Sequence, residues 1–233
     1  MKEQKNVIDG IPAIFLGEKT DSVFLFIHGK LGCKEEARAF AEVACPKGFQ
    51  VIGIDLPEHG ERKNGKVPLY PWTVIPELQG VMKYLKEDYK DISIRANSIG
   101  AWFTMMAFQD EEIANCLFVS PILDMQGLIE NMMIWASIDE QQLEREGEIP
   151  TDFGEVLSWK YYTYVKDHPI KNWNTYTQIL YADKDNLTDR KTVDRFISSH
   201  ACNLTTMENG EHWFHTEEQL TFLKNWENEI IHG

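Results

Sequence analysis

The chain has 233 residues, which is room for one α/β domain with a large core. Its 43% hydrophobic and 26% charged content is that of an ordinary globule. Lys+Arg is 23 against Asp+Glu 37, a formal charge of −14; a field of that sign opposes nucleic acid or an anionic membrane as partner.

No stretch approaches the ~20 apolar residues of a membrane span, and the first residues carry no apolar core of secretory type. Cys33, Cys45, Cys116 and Cys202 are scattered without metal-type spacing, so reduced, buried thiols are expected. These features point to a cytoplasmic protein.

In chain order, residues 6–16 read as a hairpin turning at Asp9-Gly10. Residues 22–27 (SVFLFI) form a continuous apolar run, the sign of a strand buried on both faces of a parallel sheet. His28-Gly29-Lys30-Leu31-Gly32 follows, and glycines there permit a turn whose amides point outward. A helix is expected over 35–44 and a second buried strand over 49–56, ending in Pro57-Glu58-His59-Gly60. That setting reads as a turn that buries the His59 imidazole by hydrogen bonding. Residues 72–89 have helical periodicity, with Pro71 near the start.

Residues 92–95 alternate Ile with Ser and Arg as a short strand does, and an apolar run of helical length follows. Between them, Ala96-Asn97-Ser98-Ile99-Gly100 is a small-x-Ser-x-Gly turn. A serine on a tight strand-to-helix turn is forced out of the sheet with its hydroxyl exposed, the mechanics of a nucleophile elbow. The bland alternative is a serine that caps a buried helix. Further strands are expected over 114–119, 176–181 and 202–207, with helices over 189–200 and 217–231.

Strands alternating with helices at this spacing imply a mostly parallel central sheet with helices on both faces, in a single domain spanning 1–233. Only 122–172 breaks the alternation. It holds two helical stretches, 128–136 and 153–166, separated by the acidic run 139–148, which reads as a solvated helix face. Because it is inserted between two sheet strands, it is expected to be a helical lid. His28-Gly29, Ser98, Asp185 and His212 all follow strands, the sheet edge where ligand sites form.

A serine hydroxyl is a poor nucleophile without a base, and the base needs an orienting partner. The serial order Ser98, Asp185, His212 suits nucleophile, acid and base. Residues 24–32 (FLFIHGKLG), 55–60 (DLPEHG), 96–101 (ANSIGA), 179–185 (ILYADKD) and 209–213 (NGEHW), in that order, resemble the α/β-hydrolase superfamily. The resemblance implies Ser98 as nucleophile, His212 as general base and Asp185 as its acid, with an oxyanion hole from the backbone N–H groups of Lys30 and Ile99. Two departures stand out: Ala96 replaces the first elbow glycine, and Ala182 stands where a glycine often precedes the acid.

The resemblance further implies acyl transfer on a small-molecule ester or thioester, chemistry that calls for no metal and no organic cofactor. An aminopeptidase, an acylpeptide or C–C bond hydrolase, or an idle ligand-binding homologue are the alternatives. Rivals exist at each position: His215 for the base, Asp183 or Asp124 for the acid. Asp124 also reads as a helix cap for the lid. Trp102, Met132, Met133 and Trp135 are the candidate pocket residues. Phe103, Trp213 and Phe214 are expected in packing roles, and the Lys30 side chain in solvent.

Overall fold

The structure is a computed structural model and describes residues 1–232. Its strands are β1 (Glu3–Ile8), β2 (Ile11–Leu16), β3 (Ser22–Ile27), β4 (Gln50–Ile54), β5 (Asp91–Asn97), β6 (Cys116–Val119), β7 (Glu148–Pro150), β8 (Val156–Ser158), β9 (Thr177–Ala182) and β10 (Cys202–Met207). Its helices are α1 (Ala37–Ala44), α2 (Pro71–Asp88), α3 (Ile99–Phe108), α4 (Met125–Trp135), α5 (Glu140–Glu146), α6 (Trp159–Asp167), α7 (Arg190–Ser199) and α8 (Glu217–Ile230). None of the helices is long and apolar enough to cross a membrane among the described residues.

Eight strands form one sheet in the order β1-β2-β4-β3-β5-β6-β9-β10. The β1–β2 hairpin turns through Asp9 (φ 48°) and Gly10 (φ 81°), the positive pair that a two-residue turn demands. β2 joins β4 antiparallel, and every pairing from β4 to β10 is parallel. The central strands β3, β4 and β6 are buried almost throughout, as their unbroken apolar runs require.

One face is covered by α2, α3 and α7, through Val74, Leu78, Phe103, Met105 and Val193. The other is covered by α1 and α8, through Phe40, Val43 and Trp226. From Gly100 to Phe108 every residue of α3 is buried, so this helix runs through the core rather than over it. Beneath the second face, Arg95 Nε donates to Glu227 Oε1 at 2.8 Å, with side chains only 2% and 5% exposed. Lys34 Nζ and Asp55 Oδ2 form a second buried pair at 2.8 Å, with exposures of 1% and 0%.

The 122–172 segment departs from the sequence reading at its second half. A helix was expected over 153–166, but α6 begins only at Trp159. Residues 148–158 instead form the antiparallel hairpin β7–β8. Gly154 at φ 85° turns the chain at the tip of the hairpin, and Ser158 caps α6 by accepting from the Tyr161 N–H, so the turn and the exit into α6 are fixed by local chemistry. The acidic run does become a helix, α5, with Leu143 alone buried. It is capped by Asp139 and stopped by Gly147 at φ 78°. The cysteines also differ from expectation: all four are free, but only Cys116 is fully buried and the other three are partly exposed.

Candidate active site

β5 delivers the chain into Ser98, which sits at φ 48° and ψ −119°, a conformation rarely adopted by a residue with a side chain. The turn holds because its neighbours fix it. The Ser98 N–H donates to the Val119 carbonyl at 3.0 Å, and the Ile122 N–H donates to the Ser98 carbonyl at 3.1 Å. A Cβ on Gly100 would lie 2.5 Å from the His28 carbonyl oxygen, so that glycine is required. A Cβ on Gly29 would lie 3.2 Å from the Ser98 Cβ. Ala96 is fully buried and fits where the pattern more often has glycine.

Ser98 Oγ lies 2.8 Å from His212 Nε2, and His212 Nδ1 lies 2.7 Å from Asp185 Oδ2. The carboxylate fixes the tautomer: Nδ1–H donates to Asp185, which leaves Nε2 free to accept from Ser98. The Asp185 side chain is fully buried. Its Oδ1 accepts from the N–H groups of Leu187 (2.8 Å) and Thr188 (3.0 Å). Every Asp185 oxygen therefore has a partner, and the carboxylate cannot swing away from the imidazole.

The rivals are placed elsewhere. His215 Nδ1 donates to the Trp213 carbonyl at 2.7 Å. Asp183 is exposed, and its side chain takes no partner among the described residues. Asp124 caps α4 by accepting from the Gly127 N–H at 2.9 Å, the role read for it in the sequence.

Two histidines shape the Lys30 loop. His28 is fully buried; Nδ1–H donates to the Gly29 carbonyl at 2.7 Å, and Nε2 accepts from the Leu56 N–H at 3.0 Å. His59 Nδ1–H donates to the Pro57 carbonyl at 2.7 Å, and Nε2 accepts from the Leu31 N–H at 2.9 Å. Carbonyl and amide of one trans peptide point opposite ways. Pinning the Gly29 oxygen therefore turns the Lys30 N–H to the other side, and pinning the Leu31 N–H fixes the next unit. Among the described residues neither the Lys30 nor the Ile99 amide donates to another group; Ile99 opens α3, where no intrahelical acceptor exists. Burial holds the His28 pKa down at about 4, so both of its hydrogen bonds are those of a neutral ring. The turn and the burial of His59 match the reading of its Pro-x-His-Gly setting; the clamp made by the two imidazoles together, rings 5.0 Å apart, was not legible there.

A cavity of about 790 Å³ opens beside Ser98. Its walls include Ile122, Leu128, Met132 and Trp135, with Val156 from the hairpin and Tyr161 from α6. Of the four candidate pocket residues, Met132 and Trp135 line this cavity. Trp102 and Met133 are not among the lining residues. Trp102 is 2% exposed and stacks on Tyr161, with ring centroids 6.0 Å apart. Met133 lies on the core side of α4, about 100° round the helix from Met132. Phe103 is in the core and Phe214 is buried, as expected, but Trp213 is 74% exposed and does not pack in the interior. The Lys30 side chain is not free in solvent either: it pairs with Glu155 on the hairpin.

No protein-family model and no curated protein sequence matches this chain. Solved structures do. Est1E from Butyrivibrio proteoclasticus, in a structure with ferulic acid bound, superposes with a TM-score of 0.76 at 18% identity, over 97% of this chain and 96% of that one. Mouse α/β-hydrolase domain-containing protein 10 gives 0.75 at 14% identity, over 99% and 98%. A monoacylglycerol lipase of Paleococcus ferrophilus gives 0.67 at 14% identity, over 94% and 98%. With the sheet order and the strand-to-helix turn at Ser98, these likenesses identify the chain as having the α/β-hydrolase fold.

Proposed function

We propose that this protein is a serine hydrolase acting through an acyl-enzyme on carboxylic esters or thioesters of small to medium size. The observation that carries the reading is the continuous chain Asp185–His212–Ser98 beside a largely apolar cavity. Ser98 Oγ attacks the substrate carbonyl carbon while its proton passes to His212 Nε2. Asp185 holds Nδ1–H and stabilises the imidazolium. The amides of Lys30 and Ile99 receive the oxyanion, each worth ~3–4 kcal/mol in such sites. His212 then protonates the leaving alcohol or thiol, and water reverses the sequence to release the acid.

In this reading the 122–172 segment is a lid. Met132 and Trp135 on α4, with Val156 on the hairpin, form the apolar wall that receives the acyl chain. Est1E was solved with ferulic acid, an aromatic acid; Tyr70, Trp135, Phe153 and Tyr161 give the cavity here an aromatic side, so aryl-acyl esters belong beside alkyl ones in any panel.

The test is labelling with a fluorophosphonate, read by intact mass and peptide mapping. A single adduct on Ser98, lost in Ser98→Ala and slowed at least a hundredfold in His212→Ala, is expected. A folded wild-type protein that takes no adduct and turns over no ester would overturn the proposal in favour of a ligand-binding role.

A further inference from the structure

The turn after β4 carries a residue that its backbone does not favour. The His59 N–H donates to the Leu56 carbonyl at 3.2 Å, which closes a four-residue turn over Leu56-Pro57-Glu58-His59. Proline stands second and Glu58, at φ 64°, stands third. This is a type II turn, whose third position belongs to glycine or asparagine because φ is positive there.

The surroundings over-determine that strain. Pro57 presets the turn, and the His59 ring holds the Pro57 carbonyl at 2.7 Å. Asp55 Oδ2 holds the Glu61 N–H at 3.0 Å on the far side. Strained backbone held this firmly is characteristic of functional sites. The outcome is an exposed glutamate on the cavity wall, its backbone fixed.

Charge in that wall is simple. Its charged side chains are Lys30, Glu58 and Glu155. Lys30 and Glu155 pair with each other. Glu58 has no ion-pair or hydrogen-bond partner for its side chain among the described residues, so the lining carries one uncompensated negative charge. Nearby, Tyr70 donates to Glu148 at 3.2 Å, which adds a further carboxylate, while the Lys160 ammonium is held over the Trp72 ring outside the lining.

We propose that Glu58 is a specificity residue: it favours esters that carry an ammonium group on the portion reaching its wall, and disfavours anionic ones. This rests on the hydrolase reading above and deepens it to a substrate class.

The experiment compares kcat/KM for ester pairs that differ only in a trimethylammonium against an isosteric tert-butyl group, with a carboxylate analogue as third member. One set bears the group on the alcohol and another on the acyl chain. In the wild type, at least one set is expected to favour the cation by about two- to fivefold at low ionic strength, the range of a solvent-exposed ion pair. The preference falls to about one in Glu58→Gln and Glu58→Asn, and in the wild type at roughly 0.5 M salt. A merely structural glutamate would lower the melting temperature when replaced; here Glu58→Asn, which suits the turn better, is expected to leave it unchanged or raise it by about 1–2 °C. Hydrolysis of the neutral esters with no charge preference in either set, or a preference that survives both substitutions, overturns the assignment and leaves the hydrolase standing. No turnover of any ester and no fluorophosphonate adduct removes the hydrolase reading, and this assignment with it.

Discussion

Asp185 is saturated with hydrogen bonds, and that fixes what its replacement does. Asp185→Asn keeps the shape but presents an amide where Nδ1–H needs an acceptor. The imidazole then turns its proton toward Ser98, the wrong tautomer for a base. A fall in kcat of ~10⁴-fold with little change in KM is expected from steady-state kinetics on any ester the wild type accepts. If the loss were instead under tenfold, His212 would not depend on Asp185 and the triad assignment would fail. The three candidates could be picked out in the sequence because each lies just past the carboxyl end of a strand, Ser98 directly after β5 and Asp185 and His212 in the loops after β9 and β10. The paired imidazoles of His28 and His59 were not, since neither stretch alone says that the two rings meet around the Lys30 peptide.

Among the elements, α4 shows best what periodicity gives and withholds. Leu128, Met132 and Trp135 recur at four and three residues and share one stripe, which lines the cavity. Met133 is one step round and 6% exposed in the core. Apart from Gln126, Glu130 and Asn131 the helix is apolar over most of its circumference, and the sequence does not say which stripe meets a cavity. The two methionines should therefore separate function from stability. Met132→Ala enlarges the pocket and is expected to move the preferred acyl chain about two carbons longer in an ester panel. Met133→Ala leaves that preference in place and costs about 2–4 kcal/mol in urea unfolding. Equal effects of both substitutions on chain-length preference would contradict the division of the helix into two faces. The β7–β8 hairpin was missed for a related reason: Gly154 and Ser158 are turn and cap signals, but they sit inside a run whose aromatics repeat with helical spacing.

Across the whole molecule, the alternation of apolar runs with helical stretches was enough to specify a parallel sheet and to put all three triad candidates on one edge. What joins the layers was not legible, because pairs such as Arg95–Glu227 and contacts such as His28 with Leu56 link residues far apart in sequence. Those links make the fold acid-sensitive in a way that can be isolated. His28 is neutral in the folded chain, with its pKa lowered to about 4 by burial, against the ordinary 6.5 once unfolded. Between these values the unfolded chain binds a proton that the folded chain refuses. Stability contributed by the neutral ring is present above about pH 6.5 and is lost as pH falls toward 4, by about 3 kcal/mol in all. Glu227 shifts the opposite way, its pKa raised by burial against the pull of Arg95, so a raw pH profile mixes the two. His28→Gln removes one and keeps the other. Urea midpoints measured from pH 7 to 4 should fall more steeply in the wild type than in His28→Gln, by close to one proton's worth of slope. Parallel profiles would mean that the ring takes up its proton in the folded state, and that the His28 clamp on the Gly29 carbonyl is not that of a neutral imidazole.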